Sequence, residues 1–230
     1  MKRVVITGGS SGLGWAITMA LAKVYTKGGW SIDDWSLPEV DITDRNSVRS
    51  AAFEDNTQID ILINNAGTNE VNYLPNLTEK MWDRVMDTNA KGIYLVTQAL
   101  LERLRGGTVL NIVSNASRVP MTSSLAYNAS KGAAAIMTKQ MARELKKTHG
   151  ITVFSISPGK LEGTEMSKYI EGRVVETRGW TPEYAKQYQL DGLAAGKEIK
   201  VELLAEFIAF ILSTKERHEF FHGQDIPYGG

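Results

Sequence analysis

Short runs of β-branched and aliphatic residues alternate along this chain with longer stretches of helical periodicity. The strand-like runs are residues 3–7, 59–64, 108–114 and 151–157. The helical stretches are residues 12–26, 43–54, 78–104 and 123–148. Three of the four runs are almost continuously apolar, as strands buried on both faces are. The alternation predicts an α/β fold with βαβ units, in which helices cover both faces of a doubly wound parallel sheet.

The second βαβ unit is unusually short. A strand is predicted at residues 30–36, and the sequence "EVDIT" at 39–43 has the pattern of the next strand. A crossover between parallel strands normally needs a dozen residues or more, and Pro38 stands in the gap. We therefore expect the second crossover helix to be shortened or absent.

Composition excludes several classes of function. Lys plus Arg and Asp plus Glu each number 26, and no long basic run is present, so we expect no nucleic-acid partner. The chain has no cysteine, and its most apolar helical stretch, residues 201–213, is too short to span a bilayer. We expect no membrane association and a cytoplasmic location. His218 and His222 are four residues apart, but we interpret them as a polar helix end or turn and expect no metal site.

A glycine-rich segment, "TGGSSGLG" at residues 7–14, joins the first strand to the first helix. Backbone N–H groups at a helix N-terminus favour an anion, and glycines allow phosphates to approach the backbone closely. The segment has no lysine and is therefore not a Walker loop. Its position predicts a pyrophosphate site, although a plain tight turn has the same sequence signature.

Further motifs follow in a fixed order. They are NNAG at residues 64–67, an Asn in "MDTNAKG" (Asn89), Ser114, YNASK at 127–131, Pro158–Gly159, and Gly223, Gln224, Gly229 and Gly230 near the C-terminus. In this order and spacing the chain resembles the classical short-chain dehydrogenases/reductases over essentially its whole length. The resemblance implies one NAD(P)-binding Rossmann-fold domain over residues 1–230, and a homodimer or homotetramer.

The resemblance also implies the residues that bind the nicotinamide cofactor. They are Thr7, Gly8, Ser10, Ser11, Gly12, Leu13, Gly14, Asp34, Ser36, Asp41, Ile42, Asn65, Ala66, Gly67, Tyr127, Lys131, Pro158, Gly159, Leu161 and Thr164. Asp41 matches the family's adenine-contacting Asp. Thr164 stands one residue later than the family pattern PGxxxT places its carboxamide-contacting Thr, which puts its role in doubt.

Four residues are candidates for catalysis. Tyr127 and Lys131 share a helix face, and an adjacent ammonium is expected to lower the phenol pKa from about 10 towards neutrality, as suits an acid/base. Ser114 ends a strand, where its hydroxyl can polarise a reacting oxygen; Ser117 is the alternative, and the family spacing to the tyrosine selects Ser114. The resemblance implies that Lys131 also holds the nicotinamide ribose. It further implies that Asn89 marks a helix kink with a proton-relay water, rather than a merely polar helix position.

The choice between NAD and NADP depends on the end of the second strand. A carboxylate there binds the ribose 2′-hydroxyl and repels a 2′-phosphate. Asp33 and Asp34 favour NAD, whereas a register that places Ser36 at the ribose is neutral.

Residues 160–198 are expected to form a substrate lid. Its charged and aromatic side chains favour a small polar substrate, although a solvated surface helix is equally consistent with them. We therefore expect an oxidoreductase that moves a hydride between the cofactor and a carbonyl or secondary alcohol. A non-catalytic dinucleotide sensor would be expected to lose Tyr127 or Lys131, and an extended-type epimerase would carry TGxxGxxG and a longer chain.

Overall fold

A computed structural model describes residues 2–24, 30–54, 56–193 and 195–229, and shows one six-stranded sheet. The strands are β1 (Lys2–Thr7), β2 (Trp30–Trp35), β3 (Ile61–Asn64), β4 (Thr108–Ile112), β5 (Thr152–Pro158) and β6 (Asp225–Tyr228). All neighbouring pairs are parallel, in the order β2-β1-β3-β4-β5-β6. The sequence prediction of a doubly wound parallel α/β fold is confirmed.

Helices pack on both faces of this sheet. They are α1 (Gly12–Val24), α2 (Arg45–Phe53), α3 (Glu79–Met86), α4 (Gly92–Ala99), α5 (Leu125–His149), α6 (Glu165–Arg178), α7 (Pro182–Asp191), α8 (Val201–Leu212) and α9 (Lys215–His218). Successive strand residues point to opposite faces, so Val4 and Ile6 join the core beneath α1 and α8, whereas Val5 joins the core on the other face. This double burial explains the apolar runs in the sequence.

The prediction of a strand at "EVDIT" is wrong. Residues 37–39 form a turn and no strand follows before α2. The carboxylate of Asp41 accepts hydrogen bonds from the backbone N–H and the hydroxyl of Thr43, which closes a tight turn, and Asp44 then caps α2. The turn directs Val40 and Ile42 into the core instead of extending the sheet. No helix lies between β2 and this turn, as the short spacing predicts.

The long helix predicted at residues 78–104 is interrupted. A π-helical turn, Asp87–Lys91, separates α3 from α4, and α4 ends at Ala99. The sequence analysis did not identify β6, which has only four residues. The last two residues of the helix predicted at 12–26, and Gly230 of the C-terminal motif, lie outside the described residues.

No helix in the described part of the chain is both long and apolar enough to cross a membrane. His218 ends α9, and His222 follows a 3₁₀ turn (Glu219–Phe221), as the sequence predicts. His218 Nε2 lies 3.0 Å from Thr108 Oγ1, and His222 Nδ1 accepts the N–H of Val153 at 3.2 Å. Burial lowers the pKa of His218 to about 4.

Candidate active site

The glycine-rich loop and the NNAG motif meet at the carboxyl edge of the sheet, since β1 and β3 are neighbours. Thr7 Oγ1 accepts the backbone N–H groups of Asn65 and Ala66 at 3.0 and 3.1 Å. The Asn65 amide returns two bonds, to the carbonyls of Thr7 and Gly8, both at 3.0 Å. These four bonds hold the loop in a defined position at the start of α1.

Two glycines of this loop adopt a left-handed backbone, Gly8 with φ +66° and Gly12 with φ +51°. A Cβ at Gly12 would meet no close neighbour and would make only ordinary van der Waals contact, with Thr164 Cγ2 at 3.9 Å. Ser10, Ser11 and Gly12 are exposed, whereas Leu13 is buried in the core. The loop therefore presents backbone and small side chains to the space in front of α1, as a pyrophosphate requires.

Gly9 is a loop residue that the sequence analysis did not single out. Its N–H donates to Asp34 Oδ1 at 2.8 Å, and a Cβ there would lie 2.7 Å from the same oxygen. Its place directly after Gly8, opposite the end of β2, is the signal that could have identified it. Gly9 thus allows the carboxylate of Asp34 to reach the loop.

Asp33 and Asp34 point in different directions at the end of β2. Asp33 forms an ion pair with Arg3, at 2.6 Å from its Nε, and Asp34 is exposed beside the glycine loop. Ser36 is buried; its hydroxyl donates to Asp34 and accepts the N–H of Ser10 at 3.4 Å. The structure therefore places Asp34, and not Asp33 or Ser36, as the accessible group at this end of the site.

Tyr127, Lys131 and Ser114 come together beyond the end of β4. The Ser114 side chain acts on the Tyr127 hydroxyl in the direction that lowers its pKa, and Lys131 Nζ lies 5.8 Å from the centre of the Tyr127 ring. Lys131 is buried and donates to the Ile112 carbonyl at 3.0 Å. Ser117, the alternative to Ser114, has a buried hydroxyl oxygen that finds no hydrogen-bond partner among the residues the structure describes.

The pKa values of this pair differ from the sequence prediction. Burial raises the pKa of Tyr127 above its ordinary value, although the Ser114 side chain acts in the opposite direction. Burial also lowers the pKa of Lys131 to about 8. The expectation that Lys131 lowers the tyrosine pKa is wrong here, because removal of the phenol from water outweighs the other effects.

Asn89 lies in the π-helical turn and is fully buried. Its Oδ1 accepts the N–H of Thr68, and its Nδ2 donates to the Thr68 carbonyl and to Ser130 Oγ, all within 2.9 Å. A Cβ at Gly67 would lie 3.4 Å from Asn89 Oδ1 and 3.7 Å from Lys131 Nζ. The sequence analysis did not single out Thr68 or Ser130, although Ser130 lies inside the YNASK motif.

The turn after β5 closes the other side of the site. The N–H of Gly159 donates to the Tyr228 carbonyl, and a Cβ added at Gly159 would lie 2.5 Å from the Gly229 carbonyl oxygen. Pro158–Gly159 therefore pack tightly against the C-terminal segment. Leu161 pairs with Ile199. Thr164 caps α6 by accepting the N–H of Ser167, with its methyl group towards Gly12.

Asp41 and Ile42 were predicted to bind the cofactor. In the structure, both side chains stabilise the fold. The Asp41 carboxylate closes the turn with Thr43, and Ile42 is buried in the core. A Cβ at Gly92 would lie 2.7 Å from Ile42 Cδ1. Contact of Ile42 with a ligand would therefore use its backbone.

These features fit a bound dinucleotide. A Cβ at Gly12 would fill the space in front of the loop, and the loop leads into the N-terminus of α1. Asp34 places an exposed carboxylate beside this loop. Gly67 leaves the space beside Lys131 and Asn89 free of a side chain. The site can therefore hold phosphates at one end and bring a reacting group to Ser114 and Tyr127 at the other.

Comparison with known proteins identifies the family of this chain. A family model described as "short chain dehydrogenase" matches residues 33–174, which is more than half of the chain. Gluconate 5-dehydrogenase from Gluconobacter oxydans is 30% identical, over 99% of this chain and 93% of that protein. A 3-oxoacyl-(acyl-carrier-protein) reductase from Thermotoga maritima is 29% identical, over 100% and 96%.

Solved structures show the same fold. A variant of actinorhodin polyketide ketoreductase, crystallised with NADPH, superimposes with a TM-score of 0.86 at 23% identity, over 100% of this chain and 96% of that chain. A short-chain dehydrogenase family protein from Francisella tularensis gives a TM-score of 0.84 at 21% identity, over 99% and 96%. The chain therefore belongs to the short-chain dehydrogenase family of NAD(P)-dependent oxidoreductases.

Proposed function

We propose that this protein interconverts a small polar carbonyl compound and its secondary alcohol, with Tyr127 as the proton donor and acceptor. The observation that carries the proposal is that Ser114, Tyr127 and Lys131 lie together on the edge of the sheet where the glycine loop opens. A nicotinamide cofactor supplies the hydride when bound. The chain's own residues position the reacting oxygen and handle its proton.

Each of the four polar residues has a distinct task in this proposal. Ser114 orients and polarises the reacting oxygen, and Tyr127 exchanges a proton with it. Lys131 carries a positive charge at neutral pH, below its pKa of about 8, and holds the ribose hydroxyls. Asn89 fixes the π-helical turn; because its amide already bonds Thr68 and Ser130, a relay water would have to use the backbone of this turn.

The protonated state of Tyr127 at neutral pH favours one direction, and burial keeps the phenol protonated because it raises its pKa. A phenol that stays protonated is ready to donate a proton to a carbonyl oxygen, as reduction requires. Oxidation of an alcohol needs the phenolate. We therefore propose carbonyl reduction as the faster direction at pH 7, with oxidation gaining as the pH rises.

The lid, residues 160–198, supports a polar substrate. Its helix α6 meets the segment after NNAG through polar contacts: Tyr169 donates to Glu70 at 3.0 Å, and Glu70 also pairs with Arg84. Relatives with polar substrates in their names include gluconate 5-dehydrogenase and sorbitol-6-phosphate 2-dehydrogenase from Klebsiella pneumoniae. We propose a hydroxylated or acidic small molecule as the substrate class.

NAD is the proposed preferred cofactor, because Asp34 places a carboxylate beside the glycine loop. A homodimer or homotetramer is also proposed. Its support is a groove of about 480 Å³ between the π-helical turn and α5, lined by apolar side chains such as Met86, Met137 and Met141 and by charged ones such as Lys91 and Glu144, which a second copy of the chain would cover. A cytoplasmic location remains a prediction from the sequence.

The substitution Tyr127→Phe tests the proposal. The purified enzyme is first screened with NADH and NADPH against the keto forms of gluconate and sorbitol 6-phosphate, and against simple ketones and aldehydes. On the best substrate, Tyr127→Phe should lower kcat about 10²–10⁴-fold, with NADH affinity unchanged by calorimetry. Tyr73→Phe, at an exposed tyrosine outside the proposed catalytic group and the proposed interface, is the matched control and should keep full activity. A Tyr127→Phe enzyme with more than a tenth of the wild-type rate would refute the assignment.

A further inference from the structure

The lid helix α6 reaches two different parts of the molecule through two arginines. Arg173 donates to Asn72 Oδ1 at 3.4 Å, on the segment that follows NNAG. Arg178 donates to the Thr122 carbonyl and to Ser123 Oγ, the latter at 3.3 Å from both Nε and Nη2. Of these two arginines, only Arg178 therefore contacts the turn that leads directly into α5, the helix of Tyr127.

That turn contains a strained residue. Ser123 has φ +60°, the one positive φ of a non-glycine residue in the described part of the chain. A left-handed backbone costs such a residue roughly a tenfold factor in population. The next residue, Ser124, is the N-cap of α5 but makes no side-chain capping bond. The start of α5 thus depends on tertiary contacts for its conformation.

Two contacts hold this strained turn in place. The Ser123 carbonyl accepts the N–H of Asn72 at 2.8 Å, and Arg178 provides the bonds to Thr122 and Ser123. Tyr127 is four residues after Ser123, or about one helical turn. A change in the turn is therefore transmitted to the position of the phenol by the first turn of α5.

Arg178 is itself fixed by aromatic side chains of the lid. Its guanidinium lies 4.8 Å from the ring centre of Trp180 and 5.6 Å from that of Tyr188, and these two rings lie 4.8 Å apart. A planar guanidinium stacks on aromatic rings while its edge still donates hydrogen bonds. Arg178 therefore connects the aromatic part of the lid to the turn at the start of α5.

We propose that Arg178 is a positioning residue that holds Ser123 in its left-handed conformation when the lid is docked, and thereby sets the place of Tyr127. The inference rests on the proposed function only in so far as Tyr127 is the acid/base. It predicts that loss of Arg178 loosens the start of α5 without disturbing the glycine loop. It also predicts that glycine at residue 123, which adopts this backbone freely, makes Arg178 dispensable.

Hydrogen exchange with mass spectrometry on the complete protein tests the contact without any substrate. In Arg178→Gln, the amides of residues 122–128 should exchange at least about tenfold faster than in the wild type. The matched control is Arg173→Gln, a substitution on the same helix at the arginine that contacts Asn72; exchange in 122–128 should stay as in the wild type. Unchanged exchange in Arg178→Gln overturns the proposal, and so does an equal increase in both variants.

Kinetics on the best substrate of the screen provide the second readout. Arg178→Gln should lower kcat about tenfold and leave NADH affinity unchanged, and Ser123→Gly combined with Arg178→Gln should recover most of the lost kcat. A double variant as slow as Arg178→Gln overturns the role of Ser123. Failure of the proposed function has a separate signature, an active Tyr127→Phe enzyme, and the exchange result is independent of it.

Discussion

At the scale of single residues, Asp33 and Asp34 show how one position along a strand changes a side chain's surroundings. Successive strand residues point to opposite faces. Asp33, whose register partner in β1 is Val5, therefore meets Arg3 two residues earlier on that strand, while Asp34 turns towards Gly9 and the glycine loop. The sequence "DD" shows two equivalent carboxylates, but only Asp34 is exposed beside the glycine loop, whereas Asp33 is paired with Arg3.

The cofactor preference is predicted to depend on Asp34 alone. The wild-type kcat/KM for NAD should exceed that for NADP at least tenfold, since about 1.4 kcal/mol of repulsion suffices for that ratio. Asp34→Asn removes the charge and should reduce the preference to within about threefold. Asp33→Asn, whose carboxylate is engaged by Arg3, is the control and should keep the preference. Steady-state constants for both cofactors decide; a wild-type preference for NADP would contradict the prediction.

At the scale of elements, the junction of β1 and α1 uses its glycines for two different purposes. A Cβ at Gly14 would lie 2.0 Å from the Gly8 carbonyl oxygen and 2.6 Å from Asn65 Nδ2. Gly14 is therefore required by the packing of α1 against its own loop, rather than by the approach of a phosphate, as its motif alone indicates. Gly12, in contrast, has room for a Cβ, whose nearest neighbour would be Thr164 Cγ2 at 3.9 Å.

Two alanine substitutions separate these purposes. Gly14→Ala should lower the free energy of unfolding by at least about 2 kcal/mol, because loop and helix must move apart. Gly12→Ala should cost only about 1–2 kcal/mol of backbone strain but should weaken NADH binding at least tenfold, since its methyl group enters the space proposed for the pyrophosphate. Thermal unfolding without cofactor and calorimetry with NADH measure both effects. Equal stability of Gly14→Ala and wild type would refute the packing argument.

At the scale of the whole molecule, Lys131 is a buried charge that the fold accommodates at the expense of stability. Its pKa is lowered to about 8, so the folded protein releases this proton at a lower pH than the unfolded chain does. The loss of stability caused by burying the charged Lys131 is fully present below pH 8. It decreases as the pH rises towards 10.5, the pKa of this lysine in the unfolded chain. The shift corresponds to a cost of about 3 kcal/mol.

Lys131→Met is therefore predicted to stabilise the protein while it abolishes turnover. At pH 7 its free energy of unfolding should exceed that of the wild type by about 1–2 kcal/mol, because the relieved cost is partly offset by the lost bond to Ile112. The difference should shrink between pH 8 and 10. Lys139→Met, at an exposed lysine of α5, should change stability by less than about 0.5 kcal/mol at every pH. Denaturant titrations over pH 7–10 provide the values; a destabilised Lys131→Met protein at pH 7 would overturn this account.

Much of the architecture could be read from local patterns in the sequence. The alternation of apolar runs with helical stretches predicted the parallel sheet, because strands buried on both faces leave a continuous apolar signature. The short spacing around Pro38 predicted that no helix lies directly after β2, although the strand expected at 39–43 did not form and α2 makes the crossover to β3. Ordered motifs brought Ser114, Tyr127 and Lys131 into one expected site, and the structure places them together.

Other features depended on groups that are distant along the chain. The turn at Asp41–Thr43 replaced a predicted strand because Val40 and Ile42 find a core to enter. The pKa of Tyr127 rises because tertiary packing removes the phenol from water, and no spacing in the sequence records that burial. The same packing selects Asp34 over Asp33 and brings Arg178 to the start of α5, 55 residues away from Ser123. Local sequence thus determined the elements and the chemical groups of this protein, whereas their orientation, hydration and partners were decided only when the elements packed together, since those properties arise from contacts between residues far apart in the chain.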